Sequence, residues 1–569
     1  MRYTTLTNKV LGLALAALTF TACTDTWNDH YEGEAGIGEG ADMTIWQAIK
    51  ADGSLNNFIR VAEATGYDRS LNSSQKFTVF APTDDAFSSS EADQLIAKYQ
   101  EEKAAGTKDE DNSTIKQFLR NHIALYTHSV SPQSNDSIVM MNGKYLMLTA
   151  DKIGHSTLTL KNRLCSNGLL YKVSTPITYF SNVFEYLRTD SDLDSLANFL
   201  FSYNEYEFMP GQSVAGGVNE KGETVYLDSV TVLKNDLFNR LGLLNSEDST
   251  YWMVAPTNQV WARLISEYSN YFNYADNVDK RDSLQSVYSR MAIVEGTVFS
   301  RTLNRDVAIR DSAVSTSAVT YQNRERMWGS KNFKYYQYEF PFNPGGVFYN
   351  TENFECSNGQ VMKASEWNFD KRQTFMRTLI VEAENRNNVK EINEKTTKSP
   401  LTNAEVLSSS KFYNKVSGNT FVLAEPTSAN VDAQVTFNLP NMLSNVKYDI
   451  YAVMVPAIAA DTLATEQQRL PTKVRFTIYY TNQAGRERNE SLKNPYATDP
   501  KNNQDYITKP DVVDTVLVAE AYDKITTCGY GLTTPPAQLR VKTQITTKEN
   551  SSYTRTMRID CIILKPHED

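Results

Sequence analysis

Phe77–Phe87 reads FTVFAPTDDAF, and the reading of these residues decides the fold. Phe77, Val79 and Ala81 alternate with Thr78, Phe80 and Pro82, the pattern of a short buried strand that stops at proline. Thr83 follows as a candidate N-cap, with Asp84 and Asp85 in the first helical turn, where the helix dipole favours negative charge. A variant returns at Tyr251–Trp261, YWMVAPTNQVW, in which Ala255-Pro256-Thr257 copies Ala81-Pro82-Thr83. A strand, a proline and a capped helix used twice point to a duplicated domain.

Landmarks on either side of this stretch repeat in the same order. Ile45, Trp46 and Ile49, then Leu55, Phe58 and Ile59, are matched by Val183, Phe184 and Leu187, then Leu196, Phe199 and Leu200. Each half closes on Cys-Ser-Asn-Gly, at 165–168 and at 356–359. Asn-Gly is a strong turn signal, and Leu169–Val173 after the first copy reads as a final strand. The second half is longer, and Gly222–Asn235 within it reads as an inserted strand pair. Ordered matches with drifting spacing are what duplication followed by insertion produces.

The helical opening, FTVFAPTDDAF, Leu119-Arg120-Asn121-His122-Ile123, and the Asn-Gly turn before a strand together resemble a fasciclin domain. The resemblance covers residues 43–180 and, in degenerate form, 181–372, where Met291-Ala292-Ile293 stands for Asn121-His122-Ile123. It implies a small β-sandwich wedged against several helices, and adhesion or protein and glycan contact in place of catalysis. It also implies a structural use of the motif positions Thr83, Asp84, Asn121 and His122. Taken alone, His122 reads either as a ligand contact or as a hydrogen-bonded interior histidine. Asp190-Ser191-Asp192-Leu193-Asp194 is similar to the start of a calcium loop, but Ser195 and Phe201 stand where that loop needs glycine and glutamate. A helix cap is the better reading.

Aromatic residues crowd the second half. Trp261, Leu264, Ile265, Tyr268, Tyr271 and Phe272 follow helical spacing and read as core. In Phe333–Tyr349 the side chains of Tyr336, Tyr338, Phe340 and Phe342 share one strand face, opposite Phe333 and Tyr335. Such a strand is either buried on both sides or leaves one face as a contact surface.

After Lys371 the texture changes to short strands punctuated by Pro, Asn and Asp. Phe421–Ala424, Gln434–Leu439, Tyr448–Val455, Val474–Tyr480, Asp514–Ala519, Leu539–Ile545 and Met557–Leu564 predict an all-β sandwich over 376–567. Its edges, Leu379–Glu384 and Asp560–Pro566, are similar to those of galactose-binding-like jelly rolls, many of which are carbohydrate-binding modules. A structural or protein-docking sandwich is equally open. The expected fold class is therefore multidomain α+β, two fasciclin-like β-sandwich/helix domains followed by a jelly-roll-like sandwich. Cys561 alternates in step with Met557, Ile559 and Ile563 and reads as a buried thiol, and Cys165 and Cys356 fall in different domains.

At the N-terminus, Arg2 and Lys9 precede the apolar run Val10–Phe20, which is too short to span a bilayer and reads as a signal peptide. Phe20-Thr21-Ala22-Cys23 resembles a bacterial lipobox. The resemblance implies removal of residues 1–22 and acylation of Cys23. The alternative is a secreted protein with a chance cysteine. Asp25, Asp29 and Glu32, just after Cys23, resemble the surface-export signal of Gram-negative lipoproteins, and otherwise form a solvated tether. Residues 23–42, with Gly33, Gly36, Gly38 and Gly40, are a flexible spacer. The expected location is the outer membrane, lipid-anchored and facing outward.

The 569 residues carry 57 Lys+Arg against 67 Asp+Glu, a balance that argues against a nucleic-acid partner. No metal-ligand spacing, phosphate loop or nucleophile elbow appears, so neither catalytic residues nor a cofactor are expected. These readings converge on a non-enzymatic surface protein for binding or adhesion, with a glycan or peptide as ligand. By resemblance it would accompany an outer-membrane transporter pair of the starch-utilisation type. Two alternatives stay open: a surface hydrolase with an unrecognised carboxylate pair, and a purely structural subunit.

Overall fold

The computed structural model describes residues 42–568 except 110, 220, 229, 319–326, 329–334 and 498–502. Cys23, Asp25, Asp29 and Glu32 lie outside the described residues. The chain divides into two compact units, Met1–Phe180 with Glu205–Lys234, and Ser181–Asn204 with Asn235–Asp569.

In the first unit, helix α1 (Ile45–Lys50) starts at a capping box formed by Thr44 and Gln47. Helix α2 (Asn56–Thr65) ends at Gly66, whose φ of 74° suits a left-handed C-cap. Strands β1 (Phe77–Pro82), β2 (Ile123–Leu125), β3 (Asn135–Val139), β4 (Tyr145–Thr149), β5 (Lys152–Ile153), β6 (Ser156–Cys165) and β7 (Gly168–Val173) form one sheet of order β2-β1-β7-β6-β5-β4-β3. β1 is antiparallel to β2 and parallel to β7. All of β1 is buried because it has a core on each face. Phe77, Val79 and Ala81 pack among Ile45, Phe58 and Phe118, whereas Phe80 packs with Tyr171, Leu148 and Ile153. Thr78 tolerates burial because its hydroxyl donates to the Tyr126 carbonyl at 2.8 Å and accepts from His128 N–H at 2.9 Å.

After Pro82 the chain departs from expectation. Thr83–Phe87 is a turn, with the Thr83 carbonyl accepting from Ala86 and Phe87 N–H, and Thr83 caps no helix. The helix there, α3 (Ser89–Ala104), begins at a capping box of Ser88 and Glu91. In the second half the cap does form: the Thr257 hydroxyl accepts from Val260 N–H at the start of Asn258–Tyr268.

The insertion also differs from a single strand pair. Thr224–Asp228 pairs with Val214–Val218, and Thr231–Asn235 pairs with Asn204–Phe208, giving two ribbons. Residues 205–234 belong to the first unit, where Val214 joins the helical core.

The second unit contains Val298–Ser300, Tyr251–Pro256, Gly359–Ala364 and Thr351–Cys356, hydrogen-bonded in that order. Tyr251–Pro256 is antiparallel to Val298–Ser300 and parallel to Gly359–Ala364, the arrangement of β2-β1-β7-β6. The register is also the same, with Met253 opposite Val298 as Val79 is opposite Ile123. This corrects the sequence alignment, because Thr297, not Ala292, takes the place of His122. Met291-Ala292-Ile293 lies inside the helix Arg281–Val294, which displaces the motif along the sequence.

The C-terminal region forms two antiparallel sheets. One orders Thr402–Glu405, Thr420–Ala424, Met557–Pro566, Tyr448–Met454 and Asp514–Tyr522, with Leu379–Glu382 also on Met557–Pro566. The other orders Val389–Ile392, Gln434–Asn438, Ala537–Thr543, Lys473–Thr481 and Glu487–Ser491, with Asp505–Ile507 also on Lys473–Thr481. Buried residues recur at every second position (Val474, Phe476, Ile478; Leu539, Val541), the pattern of a β-sandwich. The chain around 272–274 is fixed to this sandwich. Asn273 N–H donates to Ser444 Oγ at 2.9 Å, the Tyr274 hydroxyl donates to the Tyr530 carbonyl at 2.8 Å, and Phe272 packs edge-on against Tyr530.

Candidate functional site

Three places in the described residues gather polar or aromatic groups. The first is the fasciclin motif. His122 is fully buried between α3 and β2; its Nδ1 donates to the Phe118 carbonyl at 2.7 Å and its Nε2 accepts from Ile177 N–H at 2.8 Å. These bonds fix a neutral tautomer. Burial then pushes its pKa down to about 4, against the opposing pull of the Phe118 carbonyl. Asn121 completes the grip on the same residue, its amide donating to the Ile177 carbonyl at 2.9 Å. Neither side chain faces solvent, and their geometry is that of a brace.

Asp84 also works internally. Its Oδ2 accepts from Asn56 N–H at 3.0 Å and its Oδ1 from Asn57 N–H at 2.8 Å, so it caps α2 from across the fold. In the second half Asn258 does the equivalent work, its Oδ1 accepting from Ser195 N–H at 2.9 Å in the helix Asp194–Phe201. Asp190, at the start of the disfavoured calcium-loop stretch, is an N-cap whose side chain accepts from Asp192 N–H. Lys363 Nζ lies 2.9 Å from it and holds its carboxyl below the usual range.

The second place is the aromatic stretch. The strand is Tyr335–Glu339, and it ends where Phe340 takes a φ of 49°. Tyr338 is 2% exposed and packs with Phe299 and Phe369, so it belongs to the core. Phe340 and Phe342 leave the strand and are 53% and 50% exposed. The four aromatics therefore do not share one face. The backbone of Tyr336 pairs with Met327, and Phe333 lies outside the described residues.

The third was missed as a site in the sequence. Glu382, Asp560 and Cys561 bring one ligand atom each within 4.8 Å of one another on the paired strands Leu379–Glu382 and Met557–Pro566. Ser417 binds both acids, its N–H donating to Asp560 at 3.1 Å and its Oγ to Glu382 at 2.5 Å. Thr420 Oγ1 donates to Glu384 Oε1 at 2.8 Å, and Glu384 Oε2 is buried with no hydrogen-bond partner. Burial, with Glu382 and Glu384 adding to it, pushes Asp560 up to about 8 against the N–H of Ser417. Burial holds the Cys561 thiol protonated. The two carboxyl groups of this cluster are donors that a hard divalent cation takes, and the protonated thiol is not. Glu-Ala-Glu and Asp-Cys in the sequence carried the signal, but only the pairing of the two strands joins them. Cys165, Cys356, Cys528 and Cys561 are all free thiols.

Comparison with known proteins assigns part of the chain. Residues 53–179 match the family described as Fasciclin domain, so this segment is a fasciclin domain. Among solved structures, the FAS1 domain pair of the insect cell adhesion molecule Fasciclin I aligns with 57% of this chain and 99% of its own, at 13% identity and a TM-score of 0.19. The CBM22-1–GH10 modules of Clostridium thermocellum xylanase 10B, solved with xylohexaose, align with 33% of this chain and 28% of their own, at 9% identity and a TM-score of 0.21. A xylan-binding domain from CBM 22 aligns with 33% of this chain and 93% of its own, at 13% identity and a TM-score of 0.18. TM-scores of this size do not establish a shared fold, so the family evidence is the fasciclin match. No curated protein matches the chain. Among the described residues, no helix is long and apolar enough to cross a membrane.

Proposed function

We propose that this chain is a non-catalytic binding and adhesion protein, held on the outer face of the outer membrane by acylated Cys23. Asp25, Asp29 and Glu32 act as its export signal, and it serves as an accessory subunit of an uptake complex, beside a transporter pair, by holding a glycan. The observation that carries this reading is the fasciclin domain at 53–179, whose polar motif residues Asp84, Asn121 and His122 are all spent on internal hydrogen bonds. A domain whose signature groups are engaged in its own hydrogen bonds has its outer surfaces left for contact.

The test compares intact cells carrying the wild-type protein with cells carrying Cys23→Ala. Retention of fluorescent neutral oligosaccharides at the cell surface, lost in Cys23→Ala along with surface accessibility of the protein, is the expected result. Equal retention by both strains overturns the reading.

A further inference from the structure

We infer that a pocket beside the aromatic stretch of the second half is a binding site for a neutral saccharide. The inference rests on the proposed glycan function and names a place for it. The pocket, of about 270 Å³, has Gln337, Glu339, Gly346, Asn368, Asp370 and Gln373 in its lining. The side chains of Gln337, Glu339 and Gln373 make no hydrogen bond among the described residues, so their donors and acceptors are available. Asn368 uses its amide N–H on the Gly346 carbonyl at 3.0 Å and keeps its oxygen free.

The wall is rigid before any ligand arrives. Gly346 N–H donates to the Asn343 carbonyl at 2.7 Å and Phe348 N–H to the Pro341 carbonyl at 2.8 Å. A Cβ on Gly346 would sit 2.3 Å from the Phe340 carbonyl, so only glycine allows this close fold-back. A backbone wall already held by its own hydrogen bonds lowers the ordering cost of binding.

The same loop exposes Phe340 and Phe342, with Tyr349 40% exposed. Phe342 packs against Phe348 at a ring separation of 5.2 Å, which holds its ring in place. Aromatic rings in water on the loop that walls a pocket holding the free amides of Gln337 and Gln373 and the free carboxylate of Glu339 match a sugar, whose hydroxyls both donate and accept while its C–H faces are apolar; Asp370 keeps one oxygen on Arg372 N–H at 2.9 Å. A basic peptide is the competing occupant, its charge meeting the carboxylates of Glu339 and Asp370 and its carbonyls the amides of Gln337 and Gln373, and the test below separates the two. An acidic sugar is disfavoured by those same two carboxylates.

The test is calorimetric titration of the intact, detergent-solubilised protein with xylohexaose, maltohexaose and cellohexaose. One of these binds, and the Gln337→Ala/Gln373→Ala double variant and the Phe342→Ala variant each weaken binding by about tenfold, with unchanged melting temperatures. A hexasaccharide bound equally well by wild type and both variants removes this pocket while leaving the glycan reading intact. If none of the three binds, the pocket proposal and the glycan reading fall together. Binding of oligolysine that is lost in Glu339→Gln/Asp370→Asn, with no hexasaccharide bound, makes the pocket a peptide site and overturns the proposal.

Discussion

Asn167 and Asn358 make the same hydrogen bonds in the two halves of the chain. Asn167 Oδ1 accepts from Ile45 N–H at 2.7 Å, its Nδ2 donates to the carbonyls of Leu71 at 2.9 Å and Ser73 at 2.8 Å, and its own carbonyl accepts from Phe77 N–H at 3.1 Å. Asn358 does the same with Val183, Leu244, Ser246 and Tyr251, at 2.8, 2.8, 2.8 and 2.9 Å. One residue thus joins the first helix and the loop before the central strand through its side chain, and the strand itself through its backbone carbonyl. We expect Asn167→Ala to leave three buried backbone groups unsatisfied and to cost roughly 2–4 kcal/mol in urea denaturation. Asn358→Ala should cost a similar amount.

Gly168 and Gly359, next in sequence, have φ of 136° and 144°, and a Cβ on either would sit 1.9 or 1.8 Å from the carbonyl of Phe77 or Tyr251. Gly168→Ala should therefore be more damaging than Asn167→Ala, either failing to yield soluble protein or lowering the urea midpoint further.

His122 makes the first unit acid-sensitive. Its folded pKa of about 4 lies below the usual value of 6.5, so between these pH values the unfolded chain binds a proton that the folded one refuses. The stabilisation is fully present above about pH 6.5 and is lost as pH falls toward 4, by on the order of 3 kcal/mol. Urea titrations at pH 7 and pH 5 should show this loss in wild type. His122→Asn should be less stable at pH 7 and should lack this part of the pH dependence.

Asp560 acts in the opposite direction. Its raised pKa of about 8 means that the folded state keeps a proton the unfolded state has lost from about pH 4 upward. In chelator, stability should fall as pH rises across that window. Asp560→Asn, which mimics the protonated acid, should flatten the slope and be at least as stable as wild type at pH 8.

Asp84→Ala should remove the acceptor for Asn56 and Asn57 N–H at the start of α2. The expected cost is about 1–2 kcal/mol in denaturant.

Much of this was legible in the sequence because it rests on local pattern. The strand at Phe77–Pro82, the Asn-Gly turns and the seven C-terminal segments are set by alternation and by glycine, and each falls in the expected kind of element. What was not legible depends on partners distant in sequence. Thr83 and Asp84 look like a helix start, but Asp84 is drawn to α2, twenty-eight residues earlier, and the helix waits for Ser88. The place of His122 in the second half is set by strand register, which puts Thr297 there after a longer helix. Phe340 breaks the aromatic strand through its own backbone conformation, which no alternation pattern reveals. Glu382 and Asp560 meet only because the first and last strands of the sandwich pair.

The most direct test of the central claim, binding without chemistry, mixes the intact protein with neutral oligosaccharides and follows both the heat of binding and the length of the recovered sugar. The predicted result is saturable binding with every oligosaccharide recovered at full length. Shortened products, formed in proportion to protein and time, would contradict it and identify a hydrolase.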